Sequence, residues 1–195
     1  MRKPPVEVVA SLLAVTTIII SLPPYHFPPW AIFISWAGTF AAGGPTPAML
    51  RKIWRVMPIG SFFAFLIVLC FGVASQHFDG TQFIIAQMVI LFCLNASMML
   101  LGRIPALGFI PGMFFGFASF FATYFGGFGP VPHDALSSLV AAILMNGLGP
   151  ACAWMTAKFS APHGHENHPG TVAVETSART ARTAPRMDGL NQHHG

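Results

Sequence analysis

The sequence predicts an all-α, polytopic membrane helix bundle, on three grounds. Of its 195 residues, 54% are hydrophobic and only 8% are charged, whereas soluble domains carry about 25% charged residues. Almost every charge lies before Pro5, in a short loop or after Trp154, with Glu7 at the start of the first apolar run the nearest exception. Six apolar segments succeed one another, most of them near the ~20 residues that span hydrocarbon. A soluble surface needs charge that this chain does not have.

The first segment, Val6–Leu22, follows Met1-Arg2-Lys3 as the core of a signal peptide would. Leu22-Pro23-Pro24-Tyr25 is no small-residue cleavage site, so the segment reads as a retained helix with a signal-anchor role. The others run over Pro29–Gly43, Val56–Ser75, Gln82–Leu101, Pro105–Phe125 and Ala135–Met155. The second is short and reads as a broken or partly re-entrant element. Arg2 and Lys3, then Arg51, Lys52 and Arg55, then Arg103, then Lys158 fall in alternate connections. The intervening ones hold His26, His77, Asp79, His133 and Asp134, and no Lys or Arg. Both termini are therefore expected in the cytoplasm of a plasma-membrane protein. Tyr25, Trp30, Trp54, Tyr124 and Trp154 stand at segment ends, as an interfacial aromatic belt requires.

Residues 1–158 form the expected six-helix transmembrane domain, and residues 159–195 a disordered cytoplasmic tail rich in Thr, Ala, His, Pro and Gly. His163, His165 and His168, with His193 and His194, make short histidine clusters there. They read as adventitious metal binders or as plain solvated tail, and no metal site is assigned.

Two segments carry small residues at helical spacing. The stretch Gly108–Pro132 holds Gly108, Gly112, Gly116, Ser119, Thr123 and Gly127 along one side of a helix. The earlier one, Pro29–Gly43, holds Ala31, Ser35, Thr39 and Gly43. Such stripes let backbones approach closely where lipid supplies no hydrophobic drive for association. They serve either as packing seams or as seams that also line a narrow path. Both segments stop at paired glycines followed by a Pro-x-Pro. A duplication of helices 1–3 as helices 4–6 would be inverted, because each unit has an odd number of spans, and a permeant would sit at the repeat interface. The two striped helices are then expected to meet each other at the centre.

Ser35-Trp36-Ala37 with Phe40-Ala41, and Phe109-Ile110-Pro111-Gly112-Met113-Phe114-Phe115-Gly116, are similar to the two most recognisable elements of a known family. Over residues 6–157 the chain resembles the uncharacterised bacterial inner-membrane family catalogued as domain of unknown function 1097. It departs from that pattern in its Pro-rich connection Pro23–Pro29 and in its tail. The resemblance implies a membrane protein of the bacterial inner membrane and brings no activity with it.

Chemistry in the spans is sparse. No Asp, Glu, Lys, Arg or His falls in the middle of any segment, which argues against coupling through a buried ionisable group. No nucleophile–base arrangement and no phosphate-binding glycine loop is present, so neither an enzyme nor a cofactor is expected. Cys70, Cys93 and Cys152 read as small buried hydrophobes. The net charge of +4 is dispersed among loops, so no nucleic-acid partner is expected. Pro111 and Pro150 are expected to kink their helices. His26, His77 and His133 read either as a pH gate on one face or as ordinary loop residues. Among the polar residues, Gln87 and Ser97 join Asn95 and Asn146 inside spans, where amides need partners. They serve interhelical hydrogen bonding, or Asn95 and Asn146 share a cavity with Ser119 and Thr123. Ser35, Thr39, Asn95, Gly112, Gly116, Ser119, Thr123 and Asn146 are the solute-pathway candidates. The expected function is a channel or transporter for a small neutral solute. The alternative is a non-transporting accessory or assembly subunit, and the expected partners are the bilayer and a second copy or another membrane protein.

Overall fold

The computed structural model describes residues 3–161. Six α-helices follow in order, α1 (Val6–Ile20), α2 (Pro29–Ala41), α3 (Pro47–Ala74), α4 (Gly80–Leu101), α5 (Ile110–Phe125) and α6 (Ala135–Phe159). A 3-10 turn over Pro105–Leu107 precedes α5, and no strand occurs among the described residues. By length and composition α3, α4 and α6 are each sufficient to cross a membrane, with mean hydropathies of 2.4, 2.2 and 1.6; α1 and α5 are apolar but shorter. The described residues are all-helical, with membrane-type helices. The histidine clusters of the expected tail lie outside the described residues.

Several boundaries differ from the expected ones, and local chemistry explains them. Helix α3 starts at Pro47, well before Val56, because the Met49 N–H donates to Thr46 Oγ1 (3.2 Å) and Pro47 occupies the first turn. Arg51, Lys52 and Arg55 are thus helical residues and not a loop. The last striped segment is split: Gly108 falls in the turn before α5 and Gly127 beyond its end, which leaves Gly112, Gly116, Ser119 and Thr123 on the helix. Pro111 lies in the first turn of α5, where its missing N–H costs nothing, so it does not kink the helix. Pro150 is inside α6, and so is Pro58 inside α3. At the start of α6 the Ser137 N–H donates to the Asp134 carboxylate at 2.7 Å.

Helices α2 and α5 end alike. Thr39 Oγ1 donates to the Ser35 carbonyl and Thr123 Oγ1 to the Ser119 carbonyl, both at 2.7 Å. The Gly43 N–H bonds the Phe40 carbonyl at 3.1 Å, and the Gly127 N–H bonds that of Tyr124 at 3.2 Å. Gly43 (φ 106°) and Gly127 (φ 68°) both take the left-handed backbone that stops a helix without a Cβ penalty.

Packing pairs α2 with α6 and α3 with α5 most closely. A Cβ on Gly60 of α3 would fall on the Met113 carbonyl of α5, and one on Gly116 of α5 on the Met57 carbonyl of α3. Between them the buried Ser61 Oγ donates to the Gly116 carbonyl at 2.9 Å. In the other pair a Cβ on Gly149 would meet Ser35 and, at 2.5 Å, the Ile32 carbonyl. The two striped helices therefore do not meet stripe to stripe, contrary to expectation. Each stripe is covered by a long helix, because α3 and α6 carry small residues of their own: Gly60, Ser61 and Ala64, and Ala142, Gly149 and Ala153. Where α2 and α5 do touch, Gly38 lies under the Phe115 ring.

Paired helices run in the same direction. Lys52 lies over Phe109 (5.7 Å), and farther along Phe65 meets Phe120 (6.2 Å). Trp30 meets Phe128 (4.1 Å) before Ser35 reaches Gly149. Helix α1 runs against α6, with the Ala161 N–H on the Pro4 carbonyl and Lys3 Nζ on the Lys158 carbonyl, both at 2.9 Å. These directions gather Lys3, Arg51, Lys52, Arg55, Arg103 and Lys158 at one end of the bundle. His26, His77, Asp79, His133 and Asp134 are at the other end, where the Gly129 N–H donates to the His26 carbonyl at 2.9 Å.

The α3–α5 seam makes a direct stability prediction. Gly60→Ala and Gly116→Ala should each lower the thermal midpoint in detergent, at a cost of about 1–3 kcal/mol from overpacking against backbone. Gly72→Ala, whose added Cβ meets nothing within 4 Å, should leave it unchanged or slightly raised. Three superimposable melting curves would show that the seam yields freely.

Candidate functional site

Hydroxyl groups in an apolar interior first look to the nearest carbonyl, one turn back on their own helix. Ser35 does so, donating to the Ala31 and Ile32 carbonyls at 2.9 and 3.0 Å, as do Thr39 and Thr123. Of the eight solute-pathway candidates these three, although buried, have their donors committed. Gly112 and Gly116 are seam residues, with Val56 and Met57 of α3 against them.

Asn146 is different. It is 3% exposed, and neither its Nδ2 nor its Oδ1 has a hydrogen-bond partner. Ser119 Oγ and Ser138 Oγ, on fully buried residues, are also unpartnered. Asn146 stands on α6 between Ala142, packed with Ala64 and Val68 of α3 and Phe120 of α5, and Gly149, seated on Ser35 of α2. Ser119 adjoins Phe120 on α5. Asn146 thus lies on α6 between a contact with α3 and α5 and a contact with α2; Trp30 Nε1 and Asn95 Oδ1 are unpartnered as well. Pro150 adds to the imbalance, since it has no N–H to return to the Asn146 carbonyl one turn earlier. The next carbonyl, of Gly147, is met from the side by Trp54 Nε1 at 3.0 Å.

An amide buried with both ends unpaired costs on the order of 1–3 kcal/mol per group. It offers a donor and an acceptor side by side, the pattern that a neutral amide, a urea-like molecule or an alcohol would match. None of Glu7, Asp79 and Asp134, the acidic residues among those described, lies near the middle of a helix.

Asn95 does not join this group. It is half-buried on α4, which packs principally on α3; its Nδ2 reaches only Met99 Sδ at 4.0 Å and its Oδ1 is unpartnered. Asn95 is thus on a helix whose main contact is α3, whereas Asn146 is on α6, which packs on α2, α3 and α5. Two clefts are present elsewhere. One, of about 360 Å³, lies along α6 between Asp134 and Leu144 with Phe27 and Pro130. The other, of about 280 Å³, lies between the start of α3 and Pro105-Ala106. Neither is bounded by α2 and α5. Sequence reasoning missed Gly60, Ser61 and Ser138; the four-residue spacing of Gly60 and Ala64 was the available signal for the first. Cys70 and Cys93 are exposed, and Cys152 is half-buried.

Replacing an unpaired polar group by an apolar one of similar size removes a desolvation cost. Asn146→Leu is therefore expected to raise the thermal stability of the purified protein, by roughly 1 kcal/mol. Ser61→Ala, which breaks a made bond, should lower it by about 1 kcal/mol. Chemical or thermal unfolding in one detergent measures both.

No curated protein and no solved structure matches the chain. The model of the family described as Protein of unknown function (DUF1097) matches residues 7–161. That span takes in both motif elements and all six helices apart from Val6, and the chain belongs to this family.

Proposed function

We propose that this chain is a multi-pass protein of the inner membrane that lets a small neutral, hydrogen-bonding solute pass at Asn146. The observation that carries the reading is the buried Asn146 amide with neither end partnered. Evolution commonly retains such a cost where function uses it. A solute offering one acceptor and one donor satisfies the amide. A charged solute finds no counter-charge at this depth. No catalytic step is part of the reading.

In this reading all six helices cross the bilayer, with the basic end and both termini in the cytoplasm. The segregation of Lys and Arg at one end supports it, and the shorter helices then cross with help from the loops that cap them. Two inverted units, helices α1–α3 and α4–α6, are supported by a single offset that carries Ser35, Thr39 and Gly43 onto Ser119, Thr123 and Gly127 with the same hydrogen bonds. Exchanging α2 with α5 and α3 with α6 turns the α2–α6 pair into the α3–α5 pair, the two closest in the fold. Asn146 then lies where the two units meet, as in other proteins of that plan.

The accessory-subunit reading loses its main support, since the stripes that would dock a partner are covered within the chain. Helix α4 stays open, with Ile84, Ile85, Met88 and Phe92 exposed to lipid or to a second copy.

The test is flux of formamide, acetamide, urea and glycerol into proteoliposomes, followed by light scattering. The protein should accelerate at least one of them over protein-free vesicles, and Asn146→Leu should return that rate to background while the variant remains folded. Identical rates with and without protein across the panel would end the proposal.

A further inference from the structure

The second cleft carries a different chemistry. It has a volume of about 280 Å³ and is lined by Ala48, Arg51, Lys52, Arg55, Pro105 and Ala106. Arg51 and Arg55 are one turn apart on α3 and so project on the same side, with Lys52 beside them. Arg51 Nε donates to the Pro47 carbonyl at 3.1 Å, which holds the side chain along the helix and leaves its terminal nitrogens free to bind. Lys52 Nζ stands 5.7 Å above the Phe109 ring. No carboxylate balances these charges among the described residues. Asp79 and Asp134 are at the opposite end of the bundle, and Glu7 is on α1, which packs on α6 and α2.

Positive loops orient membrane proteins without binding anything in particular. Orientation, however, needs no cleft, and dispersed charges serve it equally well. Here three cations converge from the first turns of one helix onto a concave surface closed by Pro105 and Ala106. Trp54, adjacent to Arg55, is 45% exposed and donates its Nε1–H to the Gly147 carbonyl. The cleft lies at the basic end of the bundle, the end that the segregation of Lys and Arg sets against the headgroups. Planar guanidinium groups pair with phosphate oxygens through two bonds at once.

We propose that this cleft binds the phosphodiester headgroup of an anionic phospholipid. Arg51 and Arg55 grip the phosphate oxygens, Lys52 supplies a third charge, and the acyl chains descend along the exposed flank of α3. The site is independent of any solute passage at Asn146.

The test uses the full chain in a zwitterionic detergent. Dioctanoyl phosphatidylglycerol is titrated while the thermal midpoint is followed, with dioctanoyl phosphatidylcholine and inorganic phosphate as parallel arms. The wild-type midpoint should rise with the anionic lipid and not with the other two. R51Q/K52Q/R55Q should weaken the apparent affinity by about tenfold or more, the scale expected when several cations near an anionic surface are removed. K3Q/K158Q, which removes charge from the same end outside the cleft, should leave affinity within about threefold. R55Q alone, on the surface, gives a partial loss should the triple variant not fold. Equal response to the two lipids, or equal loss in K3Q/K158Q, would overturn the site. A response to inorganic phosphate matching that to the lipid would overturn the lipid assignment in favour of a soluble phosphate.

Discussion

The close approach of α3 and α5 is the constraint on which the rest of the structure depends. Gly60 faces the Met113 carbonyl and Gly116 faces the Met57 carbonyl, so each helix presents a glycine to the backbone of the other. In lipid there is no gain from hiding apolar side chains, and dispersion between surfaces in contact must hold helices together. Omitting two Cβ atoms allows that contact to run along the backbones, and the Ser61 hydroxyl adds a hydrogen bond across it. The α2–α6 pair repeats the solution with Gly149 against Ser35 and Ile32. With these pairs formed, the other helices have defined places, α1 on α6 and α4 on α3.

Once the seams are closed, the distribution of polar groups becomes informative. Ser35, Thr39, Thr123 and Thr156 spend their donors on carbonyls of their own helices, which costs little and commits them to structure. Asn146 has no such recourse, since an amide is too large and too rich in donors and acceptors to be satisfied by one local carbonyl. Its position lies between Ala142, packed against α3 and α5, and Gly149, seated on α2, with an internal proline just beyond.

The two ends of the bundle show how little charge is needed to organise a membrane protein. Every Lys and Arg of the described residues is at one end, and only histidines and two aspartates mark the other. At the basic end the charges are unequal in kind. Lys3 and Lys158 lie where the start of α1 meets the end of α6, whereas Arg51, Lys52 and Arg55 share a concave surface. A count of charges per loop treats these alike. It also placed the second group in a loop, because hydropathy alone ends a helix at its first arginine, while the Thr46 cap carries α3 out past the apolar region.

The sequence by itself determined the class, the number of helices and the family, because apolar length, charge spacing and the two motif elements are local properties of the chain. It also exposed the small-residue stripes, whose period is written along a single helix. What those stripes face was decided only by the tertiary structure. A stripe states that something comes close and not which helix it is, and the answers, α6 for α2 and α3 for α5, depend on small residues spread through Gly60, Ser61, Ala142 and Gly149 in segments that read as ordinary apolar spans. The same holds for the polar residues: Asn95 and Asn146 look equivalent in sequence, and only the intervention of α3 separates them. Contacts between distant segments, not residue types, decide which amide lies deep among the packed helices and which stays half-buried on α4.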